Sequence, residues 1–149
     1  MTKFNLILFF ALFFATSAVS IAANGYVCSQ EAVTGFAMEQ NRQWRQKNFK
    51  PDKKYNVSRL TANDKSPLTD GPPHEWIVKE LGVEDGVSFC PAIVEGILFC
   101  SGAGLNMIVN TEALRFQEYF EYGYVYASAG DVHFVPLTPY IAIGKCSRY

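Results

Sequence analysis

The chain predicts a small, mostly β domain: an antiparallel barrel or sandwich of about seven to eight strands, stapled by disulfides. Three observations point there. Short apolar runs recur at fairly even spacing, separated by turn-forming residues. Four cysteines occur in 149 residues. Aromatic residues make up 15% of the chain and crowd into segments with strand propensity.

Residues 1–23 are set apart. "MTKFNLILFFALFFATSAVSIAANG" carries one cation, Lys3, then a long apolar run, then small residues. That is the layout of a secretory signal peptide, with cleavage expected after Ala22 or Ala23. Asn5, Thr16, Ser17 and Ser20 dilute the run, so a cleaved leader is expected rather than a retained span. Residues 24–149 then form one exported β domain. Losing Lys3 takes the net charge from −1 to −2. No basic surplus remains, so neither nucleic acid nor an anionic membrane surface is an expected partner.

An even number of cysteines in an exported domain reads as a disulfide framework. Cys28 and Cys146 lie near the two ends, and Cys90 and Cys100 bracket "PAIVEGILF". A turn at Glu95-Gly96 would bring the inner two together. The expected pairing is therefore 28–146 with 90–100. No C-x-x-C spacing supports zinc or a reactive thiol.

Along the chain, "YVCSQEAVTGFAME" reads as a strand, interrupted near Gly35, with Val27, Val33, Phe36 and Met38 as its apolar positions. "QNRQW" is a polar turn, and Pro51-Asp52 is another. Residues 54–60 alternate as a half-buried strand. Residues 61–74, "TANDKSPLTDGPPH", form one long loop, and loops of that length are often functional. "EWIVKELG" puts Trp76 and Val78 on one strand face. "VEDG" turns into "VSFCP", and "EGILFCSGAG" is the next strand. "LNMIVN" is an apolar segment too short for a helix. Thr111 is expected to cap a helical turn before the aromatic stretch. At the end, Tyr140, Ala142 and Gly144 alternate against Ile141, Ile143 and Lys145.

"RFQEYFEYGYVYASAG" holds four tyrosines and two phenylalanines. As a strand over 116–126 it shows Phe116, Glu118, Phe120, Tyr122, Tyr124 and Tyr126 on one face. Two readings stand. The rings form a core wall whose hydroxyls sit at a wet rim. Alternatively, Phe120, Tyr122, Tyr124 and Tyr126 form a binding face for a peptide or a sugar.

Catalytic signals are sparse. His74 and His133 are the two histidines. No G-x-S-x-G elbow and no H-E-x-x-H pair occurs. Glu118 and Glu121 point to opposite strand faces, a poor acid/base pair. No catalytic residue, metal ligand or cofactor is assigned.

Several stretches resemble a group of small exported proteins of Gram-negative bacteria: "YVC", "TGFAME" and "KYNVSRL" early, "NTEALRFQEYFEYGY" later, "TPYIAIGKCS" at the end. The likeness covers most of residues 24–149 and implies export without implying an activity. A weaker likeness is to periplasmic inhibitors of C-type lysozyme, small β-barrels with a cysteine early, in a "YxC" setting, and another near the end. Tyr26-Val27-Cys28 and Cys146 fit that frame. Cys90, Cys100 and the 61–74 loop are not explained by it, and no site residue is carried over.

The expectation is a non-enzymatic, exported binding or envelope-associated protein, with a protein or glycan partner and an open oligomeric state. The first alternative is an inhibitor of a secreted hydrolase such as a lysozyme, using the 61–74 loop. The second is a small periplasmic enzyme.

Overall fold

A computed structural model describes residues 24–62, 64, 73–83, 88–102, 104–124 and 138–149. The leader-like segment, Tyr126, His133 and most of the 61–74 loop lie outside these residues. The described regular structure is all strand: β1 (Gly25–Met38), β2 (Trp44–Phe49), β3 (Lys54–Arg59), β4 (Trp76–Glu80), β5 (Ser88–Cys90), β6 (Ile97–Gly102), β7 (Leu105–Asn110), β8 (Arg115–Phe120) and β9 (Tyr140–Arg148). No helix among the described residues is long and apolar enough to cross a membrane.

The strands form one antiparallel sheet in the order β2-β1-β3-β4-β5-β6-β7-β8-β9, and β9 returns to pair with β1. Eight strands thus close into a barrel, and β2 is an extra strand outside the ring. β1 makes this possible by dividing its length. Gly25–Ser29 pair with β3, whereas Val33–Met38 pair with β2. Closure leaves the ring without a free edge, the usual hazard of β structure. The remaining edge, β2, carries Arg45 and Lys47, both ion-paired to Glu39.

Among the described residues, the barrel has a filled end and an open end. At the filled end Tyr26, Val57, Trp76, Leu98, Val109 and Phe116 pack inside. Register puts these rings and branched chains on neighbouring inward positions: Tyr26 faces Val57, Val57 faces Val78, and Val109 faces Phe116. Arg59 lays its guanidinium 4.8 Å from the centre of the Trp76 ring, a cation–π contact over the core. Trp76 Nε1 is buried without a hydrogen-bond partner among the described residues.

Both expected disulfides form, Cys28–Cys146 across β1 and β9 and Cys90–Cys100 across β5 and β6. Cys28 and Cys146 are directly opposite in the ladder. The Glu95-Gly96 turn also forms. Both residues have positive φ (49° and 75°) between bridge partners Val94 and Ile97, the backbone of a two-residue hairpin turn.

Four expectations need correction. β1 is not interrupted at Gly35; it runs to Met38, with a bulge between Gln30 and Ala32. The bulge inserts a residue and shifts the inward phase. Before it Tyr26, Cys28 and Gln30 are buried; after it Val33 and Gly35 are, and Phe36 is left 51% exposed. Gly35 is needed for close approach, since a Cβ there would lie 2.3 Å from the Pro139 carbonyl oxygen.

Second, residues 44–49 are a strand, although their sequence, WRQKNF, shows little alternation. A strand outside the barrel has no buried face to impose the period. Third, Thr111 does not cap a helix. Residues 111–114 form a turn between β7 and β8, in which Asn110 Oδ1 accepts from the backbone N–H of Glu112 and Ala113.

Fourth, the aromatic strand is shorter than 116–126, because β8 ends at Phe120. The alternation expected in β9 is present, and the structure fixes its sense. Ala142, Gly144 and Cys146 face inward, while Ile141 and Ile143 are half-exposed outside. The reason is crowding within: a Cβ on Gly144 would lie 2.3 Å from the Phe116 ring.

Candidate functional site

The open end differs in chemistry. Glu118 on β8 is fully buried, and register places it opposite Met107 and Ala142. A carboxylate in that position needs donors. Three side chains supply them. Tyr55 from β3 donates its hydroxyl to Glu118 Oε1 at 2.8 Å, and Tyr140 from the start of β9 donates to the same oxygen at 2.6 Å. Gln30 Nε2 lies 3.3 Å from Oε1 and 3.2 Å from Oε2. Hydroxyl-to-carboxylate bonds of this length are the stronger class of hydrogen bond.

The bulge in β1 holds Gln30 in place, keeping it inward while Glu31 turns outward to Lys145 at 2.6 Å. Gln30 also fixes the segment before β3. Its backbone N–H donates to the Lys53 carbonyl at 3.1 Å, and its Oε1 accepts from the Lys53 N–H at 3.3 Å. One buried carboxylate thus ties together four strands of the ring.

Burial first, and the adjacent Glu118 charge second, push the Tyr55 hydroxyl far above the ordinary tyrosine value. Tyr140 moves the same way, again chiefly through burial and then through its hydrogen bond to Glu118. Both phenols therefore remain protonated donors at neutral pH.

Above this network lies a cavity of about 500 Å³, within the usual range for small-ligand sites. Val33, Phe49, Leu105 and Phe120 form apolar walls, and Gln30 and Tyr140 contribute to the floor. Lys50, Asp52, Lys53, Glu80 and Thr138 are also among the described lining residues. Phe120 and Tyr140 stack with centroids 5.8 Å apart and planes 17° apart. Lys53 pairs with Glu80 at 3.1 Å and stands 6.0 Å from the centre of the Tyr140 ring. Lys50 approaches Asp52 only to 4.0 Å, and both are well exposed. The extra strand matters here. β2 carries Phe49, and the connection from β2 to β3 carries Lys50, Asp52 and Lys53.

The tyrosine row leads to this mouth without forming one face. Phe120 lines the cavity. Past it the chain leaves the ladder. Tyr122 is half-buried over Gly104, whose missing side chain makes room for the ring: a Cβ there would sit 1.9 Å from it. Tyr124, 64% exposed, meets Trp44 edge-on at 5.6 Å. Glu118 shares its face with Phe116, as alternation predicts, and that face points inward, making Glu118 the hub of the network. The signal that marks it is a carboxylate between Phe116 and Phe120 on an apolar face.

The long loop starts and ends at the filled end, where Leu60 N–H donates to the Glu75 carbonyl at 2.8 Å. Its base is pinned. Asp64 accepts from the Thr61 N–H and hydroxyl, each at 2.7 Å, and pairs with Lys79. The Lys79 contact, then the Thr61 contacts, lower the Asp64 carboxyl to about 2. His74 rests against Phe89, with centroids 5.7 Å apart. The described base of the loop and the row from Phe116 to Tyr124 therefore separate, with Phe120 to Tyr124 at the end of the barrel opposite the loop base. Among the described residues no cluster of three or more His, Cys, Asp or Glu side chains is arranged to hold a metal.

No protein-family model, curated protein or solved structure matches this chain.

Proposed function

We propose that this chain is an exported, non-enzymatic binding protein of the cell envelope, with its site at the open mouth of the barrel. The observation that carries this reading is the cavity: apolar walls from four strands over a polar floor held by a buried carboxylate. Preformed, mostly apolar concavities with few polar groups are the usual form of ligand sites. The internal commitment of Glu118 favours binding over catalysis, since its oxygens are occupied and enclosed. Two disulfides suit an oxidising compartment, and the leader-like residues 1–23 suit export to it.

The test is capture of a partner from envelope extract by oxidised protein, beside a Thr138→Trp variant whose new ring fills the mouth. Capture by the native protein and loss in the folded variant supports the site. Equal capture by both moves binding elsewhere on the barrel.

A second reading, inhibition of a secreted hydrolase such as a lysozyme, draws on the pinned base of the 61–74 loop. An inhibitory loop benefits from being held before binding. Lysozyme assays separate the two readings: Asp64→Ala should weaken inhibition by a loop inhibitor, whereas Thr138→Trp should leave it unchanged.

A further inference from the structure

We infer that the ligand of the mouth is a single-chain amphiphile with a zwitterionic head, of the lysophospholipid class; this rests on the binding reading above. The floor of the cavity has little hydrogen bonding left to offer. Gln30 spends its amide N–H on Glu118 and its oxygen on the Lys53 N–H. Tyr140 spends its hydroxyl on Glu118. A sugar lowered onto this floor would surrender water contacts that Gln30 and Tyr140, already engaged, replace poorly. An alkyl chain makes no such demand, and Val33, Phe49, Leu105 and Phe120 offer it apolar walls. Its flexibility suits walls of mixed rings and branched chains.

The rim selects the head. Among the described residues, the lining carries two cations, Lys50 and Lys53, and two anions, Asp52 and Glu80. The formal charges of these four residues sum to zero, which favours a head carrying both signs over a singly charged one. A head carrying both signs is matched on each. Its phosphate meets Lys50 and its quaternary ammonium meets Asp52, beside the Lys53–Glu80 pair at 3.1 Å. The Lys50–Asp52 contact at 4.0 Å is loose and exposed enough to open for such a guest.

Calorimetric titration with three twelve-carbon probes, each kept below its micelle concentration, tests this. The probes are dodecylphosphocholine, dodecanoate and dodecylamine. The expected result is saturable one-to-one binding, with phosphocholine at least about tenfold tighter than either singly charged probe. Thr138→Trp should abolish it. Lys50→Glu, at an exposed position, should weaken phosphocholine and strengthen dodecylamine while melting as the native protein does. Absence of saturable binding by the folded native protein overturns the ligand class, and tighter binding of a singly charged probe overturns the head assignment. If amphiphiles fail while Thr138→Trp still blocks envelope capture, the mouth stands as the site and only its ligand is wrong. If neither occurs, both readings fall.

Discussion

The two ends of the barrel are built from the same strands but held by different forces. The filled end is closed by rings, branched side chains and nearby disulfides, all contacts that do not depend on protonation. The open end is organised around one carboxylate and the three side chains that donate to it. Apolar burial is non-directional and tolerates small shifts. A buried polar network holds only while each member has its partner. The filled end therefore provides the bulk of the stability, and the open end provides a defined shape that remains conditional.

The sharpest way to break this comparison is covalent. Cys28–Cys146 spans 118 residues and Cys90–Cys100 spans 10. Loop-closure entropy assigns about 4–5 kcal/mol to the first and about 2–3 kcal/mol to the second. Replacing each pair with serine and measuring urea unfolding should reproduce that order. A larger loss from the short loop would show that native strain, rather than chain entropy, governs the difference.

The network comes next. Glu118→Leu leaves Tyr55, Tyr140 and Gln30 without their acceptor and should cost about 2–4 kcal/mol, whereas Glu118→Gln keeps an acceptor and should cost about 1 kcal/mol. The same cluster sets an alkaline limit. Both phenols hold their protons above the ordinary value of 10.0 in the folded state. The unfolded chain releases those protons first, so this contribution is complete below pH 10 and is lost as pH rises beyond it. Tyr55→Phe should flatten the alkaline decline in melting temperature; an unchanged slope would remove the tyrosines from the account.

The smallest effect belongs to the loop base at the filled end. Asp64 is lowered from 3.8 to about 2 in the folded state. Its contribution is present above pH 3.8 and fades as pH falls towards 2. Asp64→Asn should remove that acid-range slope alone and leave the alkaline behaviour intact, which keeps the two ends separable by pH.

Much of the frame was legible in the residues. Cysteine positions and the Glu95-Gly96 pair were enough for the disulfide pattern, and alternation located β3, β4 and β9. What escaped has physical causes. β2 lacks a buried face, so no alternation marks it. A one-residue bulge after Gln30 reverses the phase of β1, turning Phe36 out and Val33 in. β8 stops at Phe120 although its sequence continues to look like a strand, because the ladder on both sides ends there. The site was half legible. Alternation alone puts Phe120 and Glu118 on one face with Phe116, but does not say which way that face points. The donors to Glu118 come from Gln30, Tyr55 and Tyr140, and only closure of the barrel brings those together.

The bond between Cys28 and Cys146 has a mechanical consequence. Asn24 and Tyr149 lie side by side, with the Asn24 N–H donating to the Tyr149 carbonyl at 3.1 Å. Both emerge at the filled end, facing away from the mouth. A pull applied between them passes through a sulfur–sulfur bond after only a few residues. The strands between 28 and 146 are shielded from that tension. Anchored at either of these residues, the barrel would keep its cavity pointing outward and its shape intact under load.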